Sequence, residues 1–267
     1  MRAMNTAGHL PSAIGRIFYS VTEPASDRGS SSPAPIVLFH DSLGCVALWR
    51  EFPGALANAT GRTVIAYDRP GFGDSDPCPH ALTRGFIEAE PKQAFTALCD
   101  HLGIDHFIAF GHSVGGAMAA ACAATYPNRC EALITESAQA FVEAQTLAGI
   151  REARAQFAQP GQVDRLRKYH GDKAPWVLSA WIDTWLSDEF RDWTLDGVLK
   201  DVRCPSLALH GDSDEFGSAE HPRRYSSRTS GRGDMHLLPG CGHVPHREQE
   251  GVVLEVVVGF LRRISAH

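Results

Sequence analysis

Short, almost wholly apolar runs recur along this chain at 36–40, 63–67, 107–110, 132–135, 206–210 and 235–238. At four or five residues each they predict short strands, with 206–210 a buried one. Helical spacing separates several of them, near 89–102 and again just after position 113. Strand, helix, strand at this rhythm predicts an α/β fold built on a parallel sheet covered by helices on both sides. Upstream, residues to about 21 predict one or two antiparallel strands. The stretch 22–35, rich in Ser, Pro and Gly, predicts a turn or exposed hairpin loop.

Between 138 and 199 the rhythm changes to helix only. Segments 141–156 and 175–186 have helical spacing, with a polar break at Gln159-Pro160-Gly161. This stretch holds Trp176, Trp181, Trp185 and Trp193, four of the chain's five tryptophans. Trp181 and Trp185, four apart, share one helical face. Two uses are open for them: walls of an apolar pocket, or packing of this segment onto the sheet.

Composition narrows the field. The 267 residues suffice for one large domain, or one domain with a small insertion. With 31 acidic and 25 basic residues the net charge is −6, which argues against a nucleic-acid partner. Seven scattered cysteines without a C-x-x-C pair read as reduced thiols of a cytoplasmic chain. The first eleven residues lack the apolar core of a secretory signal. The apolar run 252–261 is broken by Glu255 and is too short to span a bilayer, so no membrane partner is expected. Histidines are numerous, but none has H-E-x-x-H spacing, and neither metal nor cofactor is expected.

The chemistry centres on Gly111-His112-Ser113-Val114-Gly115-Gly116, which follows an apolar run and leads into an alanine-rich stretch. Strand, sharp turn, helix puts Ser113 at the apex of a tight corner, with small residues two positions to either side. A serine hydroxyl is a weak nucleophile and needs a base, which in turn needs an orienting acid. Gly211-Asp212-Ser213-Asp214 and Pro239-Gly240-Cys241-Gly242-His243 each follow a predicted strand and offer both. His246 competes with His243 but lacks the Gly-x-Gly lead-in. His112 occupies a variable position of the corner and reads as structural or pocket-lining. Arg223, Arg224, Arg228 and Arg232 form a basic cluster that could receive a phosphate-bearing carrier, although a solvated surface is the ordinary explanation.

These motifs resemble the α/β-hydrolase superfamily, in particular its serine esterase and enol-lactonase-like branch, over nearly the whole chain. The resemblance implies a mostly parallel eight-stranded sheet flanked by helices, with a core of residues 1–137 and 200–267, a helical cap at 138–199 and a closing helix at 248–264. It implies Ser113 as nucleophile, His243 as base and, of the two aspartates, Asp214 as the acid. Its oxyanion donors would be the backbone N–H groups of Val114 and Ser42, the latter in the loop His40-Asp41-Ser42-Leu43-Gly44. Tyr67-Asp68-Arg69-Pro70-Gly71-Phe72-Gly73-Asp74-Ser75 matches the family's D-x-x-G-x-G-x-S turn. Leu43, His112, Trp181 and Trp185 would border a small-molecule pocket.

One departure stands out. The family has glycine after the loop histidine, and this chain has Asp41. Its carboxylate either bonds its own loop, as aspartates in turns do, or reaches substrate. The implied activity is hydrolysis of an ester, thioester or lactone through an acyl-enzyme. The same residues also serve C–C bond hydrolysis of ring-cleavage products and, outside enzymes, slow-turnover small-molecule receptors.

Overall fold

The computed structural model describes residues 4–25 and 33–266. Eight strands form one sheet in the order β1-β2-β4-β3-β5-β6-β7-β8. The hairpin β1 (Met4–Ser12) and β2 (Gly15–Glu23) is antiparallel, and β2 pairs antiparallel with β4 (Val64–Tyr67). From β4 onward, β3 (Ile36–Phe39), β5 (Phe107–His112), β6 (Cys130–Glu136), β7 (Ser206–Gly211) and β8 (Gly233–Leu238) run parallel. The sheet is therefore mostly parallel, as expected. The predicted 22–35 loop is shortened because Thr22 and Glu23 still belong to β2, and its residues 26–32 lie outside the described ones.

Strand pleating explains why the inner runs are apolar throughout. Ile36 and Leu38 join Ile108, Phe110 and Ile134 on one face, against α1 (Phe52–Thr60) and the C-terminal helix. Val37 and Phe39 face the opposite core with Ala109 and Leu133, under the helices after β4 and β5. Successive side chains alternate sides, so a central strand needs no polar positions.

The helix expected near 89–102 is broken. It forms α2 (Phe86–Ala89), a 3-10 turn at Glu90–Lys92, and α3 (Ala94–Leu102). Pro91 has no N–H to continue a helix, and Gln93 leaves helical geometry at φ −114°, ψ −105°. After β5 comes α4 (Val114–Thr125), whose residues 114–123 are all buried. Its alanines and glycines let it lie close under its neighbours: a Cβ on Gly116 would stand 2.3 Å from that of Ala138.

The segment between β6 and β7 carries α5 (Ala144–Phe157), α6 (Gln162–His170), α7 (Ala174–Trp185) and the short α8 (Asp196–Leu199). The first expected helix starts three residues late, because Phe141 instead bridges Thr194 and stacks its ring on His221. The sequence reading missed α6, a strongly polar helix with few apolar positions. α9 (Glu220–Arg228) joins β7 to β8. The closing helix expected at 248–264 is α11 (Glu250–Ser265), and the short α10 (Pro245–Glu248) precedes it. The basic cluster is paired: Arg223 and Arg224 with Glu220, Arg224 and Arg228 with Asp196, and Arg232 with Asp234.

Strand order reverses at β3, which lies between β4 and β5. In open α/β sheets a crevice forms at such a switch, beyond the carboxyl ends of the strands. The loops after β3 and β5 carry Ser42 and Ser113.

Candidate active site

Ser113 is the single residue between β5 and α4, held at φ 56°, ψ −129°. A non-glycine residue at positive φ is strained by about 1–3 kcal/mol and persists only where its surroundings fix it. Here its N–H donates to the Glu136 carbonyl and its carbonyl accepts from Gly116 N–H, both at 2.9 Å. The flanking glycines are obligatory. A Cβ on Gly111 would lie 2.2 Å from the Gly115 carbonyl oxygen, and one on Gly115 would lie 2.1 Å from that of Phe39.

Three loops converge on this corner. His243 Nε2 lies 3.1 Å from Ser113 Oγ, and His243 Nδ1 lies 2.9 Å from both carboxylate oxygens of Asp214. The Asp214 side chain is fully buried, and its Oδ1 also accepts the Phe216 N–H at 2.8 Å. The other candidate acid, Asp212, is exposed and accepts from Gly240 N–H and Ser213 Oγ. His246 is turned away from Ser113 and pairs with buried Glu136 at 2.6 Å. Glu248 shapes the His243 loop by accepting the N–H groups of Gly242 and Val244.

The electrostatics suit a base and its orienter. Burial opposes the charge on both His243 and Asp214. Their mutual hydrogen bond and attraction outweigh it, raising His243 above its ordinary value and lowering Asp214 below its own. Among the described residues, the N–H groups of Ser42 and Val114 donate to no protein acceptor, so both remain available to a bound group.

Ser113 opens into a cavity of about 260 Å³. Its apolar walls are Leu43, Ile150, Phe157, Trp181, Trp185 and Phe216. Asp41, Ser42, Gln139, Thr146 and Glu215 add polar groups. The expected Ser42, Leu43, Trp181 and Trp185 thus border the space next to Ser113. Trp185 also packs edge-on against Phe190 and Trp193, so both uses foreseen for the tryptophans occur in one side chain.

His112 does not line this cavity, which corrects its assignment to the pocket. Its side chain points beneath the corner among Trp49, His243 and His246, where its Nε2 meets the His243 carbonyl. Residue 112 belongs to a strand buried on both sides, and the pleat sends it to the face opposite the cavity. Asp41 also departs from the simpler expectation. Its carbonyl closes the loop turn with Gly44 N–H, but its carboxylate has no hydrogen bond or ion pair among the described residues.

Sequence reasoning missed Gln139, whose Oε1 lies 3.1 Å from Ser113 Oγ. It follows β6, the strand beside β5, and the convergence of strand ends at one sheet edge could have indicated it. His170 was missed for lack of any motif. From α6 it accepts Gly73 N–H at Nδ1 and meets the Leu43 carbonyl with Nε2, at 2.9 and 3.0 Å. Lys173 adds bonds to the carbonyls of Gly73 and Ser75, tying the inserted helices to the loops below. Among the described residues no group of three or more His, Cys, Asp or Glu is arranged to hold a metal, and no helix is long and apolar enough to cross a membrane.

Comparison with known proteins agrees with this architecture. Residues 34–179 match the model of a family described as alpha/beta hydrolase fold. The chain is 29% identical over 259 residues to the dihydrolipoyllysine-residue acetyltransferase component of an acetoin cleaving system from Pseudomonas putida. That match takes in 89% of this chain but 66% of the relative, so the chain spans just under two thirds of that protein. It is 26% identical to a 2-hydroxy-6-oxononadienedioate/2-hydroxy-6-oxononatrienedioate hydrolase from Burkholderia vietnamiensis, over 89% of this chain and 90% of the relative. The crystal structure of a proline iminopeptidase from Mycobacterium smegmatis superposes with a TM-score of 0.71 at 23% identity, covering 97% and 98% of the two chains. At that identity it shows a shared fold.

Proposed function

Because this chain belongs to the α/β-hydrolase-fold family, we propose that it is a serine hydrolase cleaving an ester, thioester or lactone of a small, fairly apolar substrate through an acyl-enzyme. The continuous relay from Asp214 through His243 to Ser113 carries this reading. Residues 1–137 and 200–267 serve as its core and 138–199 as a cap whose aromatic side chains exclude water from the acyl group.

The steps follow from the contacts. His243 Nε2 takes the Ser113 proton as Oγ attacks the carbonyl carbon, and the N–H groups of Val114 and Ser42 receive the developing oxyanion. Asp214 keeps the imidazole in the tautomer with Nδ1 protonated and stabilises its charged form. His243 then protonates the leaving oxygen or sulfur as the carbonyl re-forms. In the second half it takes a proton from water, which attacks the acyl-enzyme and releases the acid and Ser113.

The test is direct. Ser113→Ala should abolish both p-nitrophenyl ester hydrolysis and labelling by a fluorophosphonate. Labelling retained elsewhere in the cavity would remove Ser113 from the role. A second reading, C–C hydrolysis, is favoured by likeness to the Burkholderia enzyme over most of both chains. That enzyme's named substrate is a dicarboxylate, whereas among the described residues the cavity here is lined by two carboxylates and by no lysine or arginine. The ester reading is therefore preferred. Multiple turnovers on a short-chain ester panel would separate it from a receptor that reacts once.

A further inference from the structure

We propose that the substrate carries a fixed or protonated ammonium group close to its scissile carbonyl, bound between the carboxylates of Asp41 and Glu215 and the aromatic walls of the cavity. This rests on the serine-hydrolase reading and names the substrate class for it.

Charge placement is the first ground. Asp41 and Glu215 both line the cavity, neither has an ion pair or side-chain hydrogen bond among the described residues, and the lining contains no lysine or arginine. The buried guanidinium of Arg69 holds the Asp41 carbonyl oxygen and His40 rather than the Asp41 carboxylate. Asp41 also directly precedes Ser42, a proposed oxyanion donor. A bare carboxylate there opposes the negative charge that grows during attack. A substrate cation would neutralise it and turn an opposing group into a binding one. Glycine at 44 leaves room for this carboxylate: a Cβ there would lie 1.9 Å from its Oδ1 and would make the side chain turn aside.

The rest of the lining points to the same ligand. Trp181, Trp185, Phe157 and Phe216 give the cavity aromatic faces, and such faces beside carboxylates favour alkylammonium groups. Gln139, 5% exposed, faces the cavity with one end of its amide on Ser113 Oγ and the other without a partner among the described residues. Half a turn of that amide places its NH2 on Oγ and leaves the serine proton to His243. It also presents Oε1 to the cavity as an acceptor for an ammonium N–H. Three polar groups around the nucleophile can then all receive a cation.

The test compares esters of matched shape. Butyrylcholine is set against 3,3-dimethylbutyl butyrate, placing the charge on the alcohol side. The phenylalanine p-nitrophenyl ester is set against the 2-methyl-3-phenylpropionate ester, whose methyl stands in for the ammonium, placing the charge on the acyl side. In at least one pair the cationic ester should have kcat/KM about tenfold or more above its neutral isostere. Asp41→Asn or Glu215→Gln should reduce that ratio towards one, and tetramethylammonium should compete with the preferred ester. Equal rates within both pairs would overturn the proposal. So would Asp41→Asn and Glu215→Gln variants that each slow charged and neutral esters alike, since both carboxylates would then serve only His243. Neutral esters turned over with Ser113 labelled keep the hydrolase reading whatever the ratio. Loss of turnover and labelling for every ester would remove that reading, and this inference with it.

Discussion

His112 Nε2 meets the main-chain carbonyl oxygen of His243 at 2.7 Å. The residue before the candidate nucleophile thus holds the loop of the candidate base. Burial pushes the His112 imidazole down to about 4, so it stays neutral near neutral pH. A carbonyl can only accept, which makes Nε2 the protonated nitrogen.

His112→Ala should therefore lower kcat more than it raises KM. Displacing a catalytic group by about 1 Å can cost about 10²-fold, and a fall of about that size in kcat is expected. Fluorophosphonate labelling of Ser113 should slow in parallel. His112→Gln, whose amide can reach the same carbonyl, should recover part of the rate; failure to do so would assign the loss to packing.

Beneath the same corner, Glu136 and His246 form a buried pair at 2.6 Å, 0% and 2% exposed. Removing one partner strands the other, which costs about 3–5 kcal/mol for buried pairs. His246→Ala should lose stability on that scale in urea unfolding. The pH dependence has a definite sign. Burial raises the Glu136 carboxyl, but attraction and hydrogen bonding from His246 outweigh it and leave Glu136 below its ordinary 4.5. A depressed carboxyl contributes stability above its unfolded value and loses it as pH falls through the folded one. Wild type should therefore lose stability below about pH 4.5 more steeply than His246→Ala.

Much of this site was legible because its parts are local. The corner at Ser113, the strand ends before Asp214 and His243, and the apolar runs of the inner sheet each declare themselves within a few residues. What was not legible depends on distant partners. Gln139, His170 and Glu136 carry no motif, and their roles arise only when β6 or α6 is laid beside other elements. His112 misled for a geometric reason: one residue's displacement along a pleated strand exchanges the cavity for the core. Pro91 was visible in the sequence, yet the break at 90–93 was overlooked because apolar spacing continues on both sides of it.

A base must be neutral to accept a proton, so the raised value of His243 fixes the acid limb of activity. kcat/KM should rise with pH through a midpoint above the ordinary histidine value of 6.5. Asp214→Asn removes the partner that favours the imidazolium, so the midpoint should move to lower pH. The rate on the plateau should fall by about 10⁴ because the tautomer is no longer held. Asp41 also raises His243 through its charge, and Asp41→Asn should shift the limb the same way by less. A midpoint unchanged in Asp214→Asn would dissociate the limb from this pair.

The corner itself tolerates no added atom. A Cβ on Gly115 meets the carbonyl oxygens of Phe39 and His40 at 2.1 and 2.6 Å. These belong to β3 and its adjoining loop, which hydrogen bonding and packing fix in place, so α4 must move instead. That movement carries Val114 N–H and Ser113 away from His243. Gly115→Ala should cost about 1–3 kcal/mol as an overpacked site and lose most of its labelling by fluorophosphonate. Gly251, near the start of α11, has open space where its Cβ would stand. Gly251→Ala should accordingly stabilise the protein by about 0.4–1 kcal/mol and label normally. If the two alanines behave alike, contact with the β3 carbonyls is not what shapes the corner, and the geometry of Ser113 has another origin.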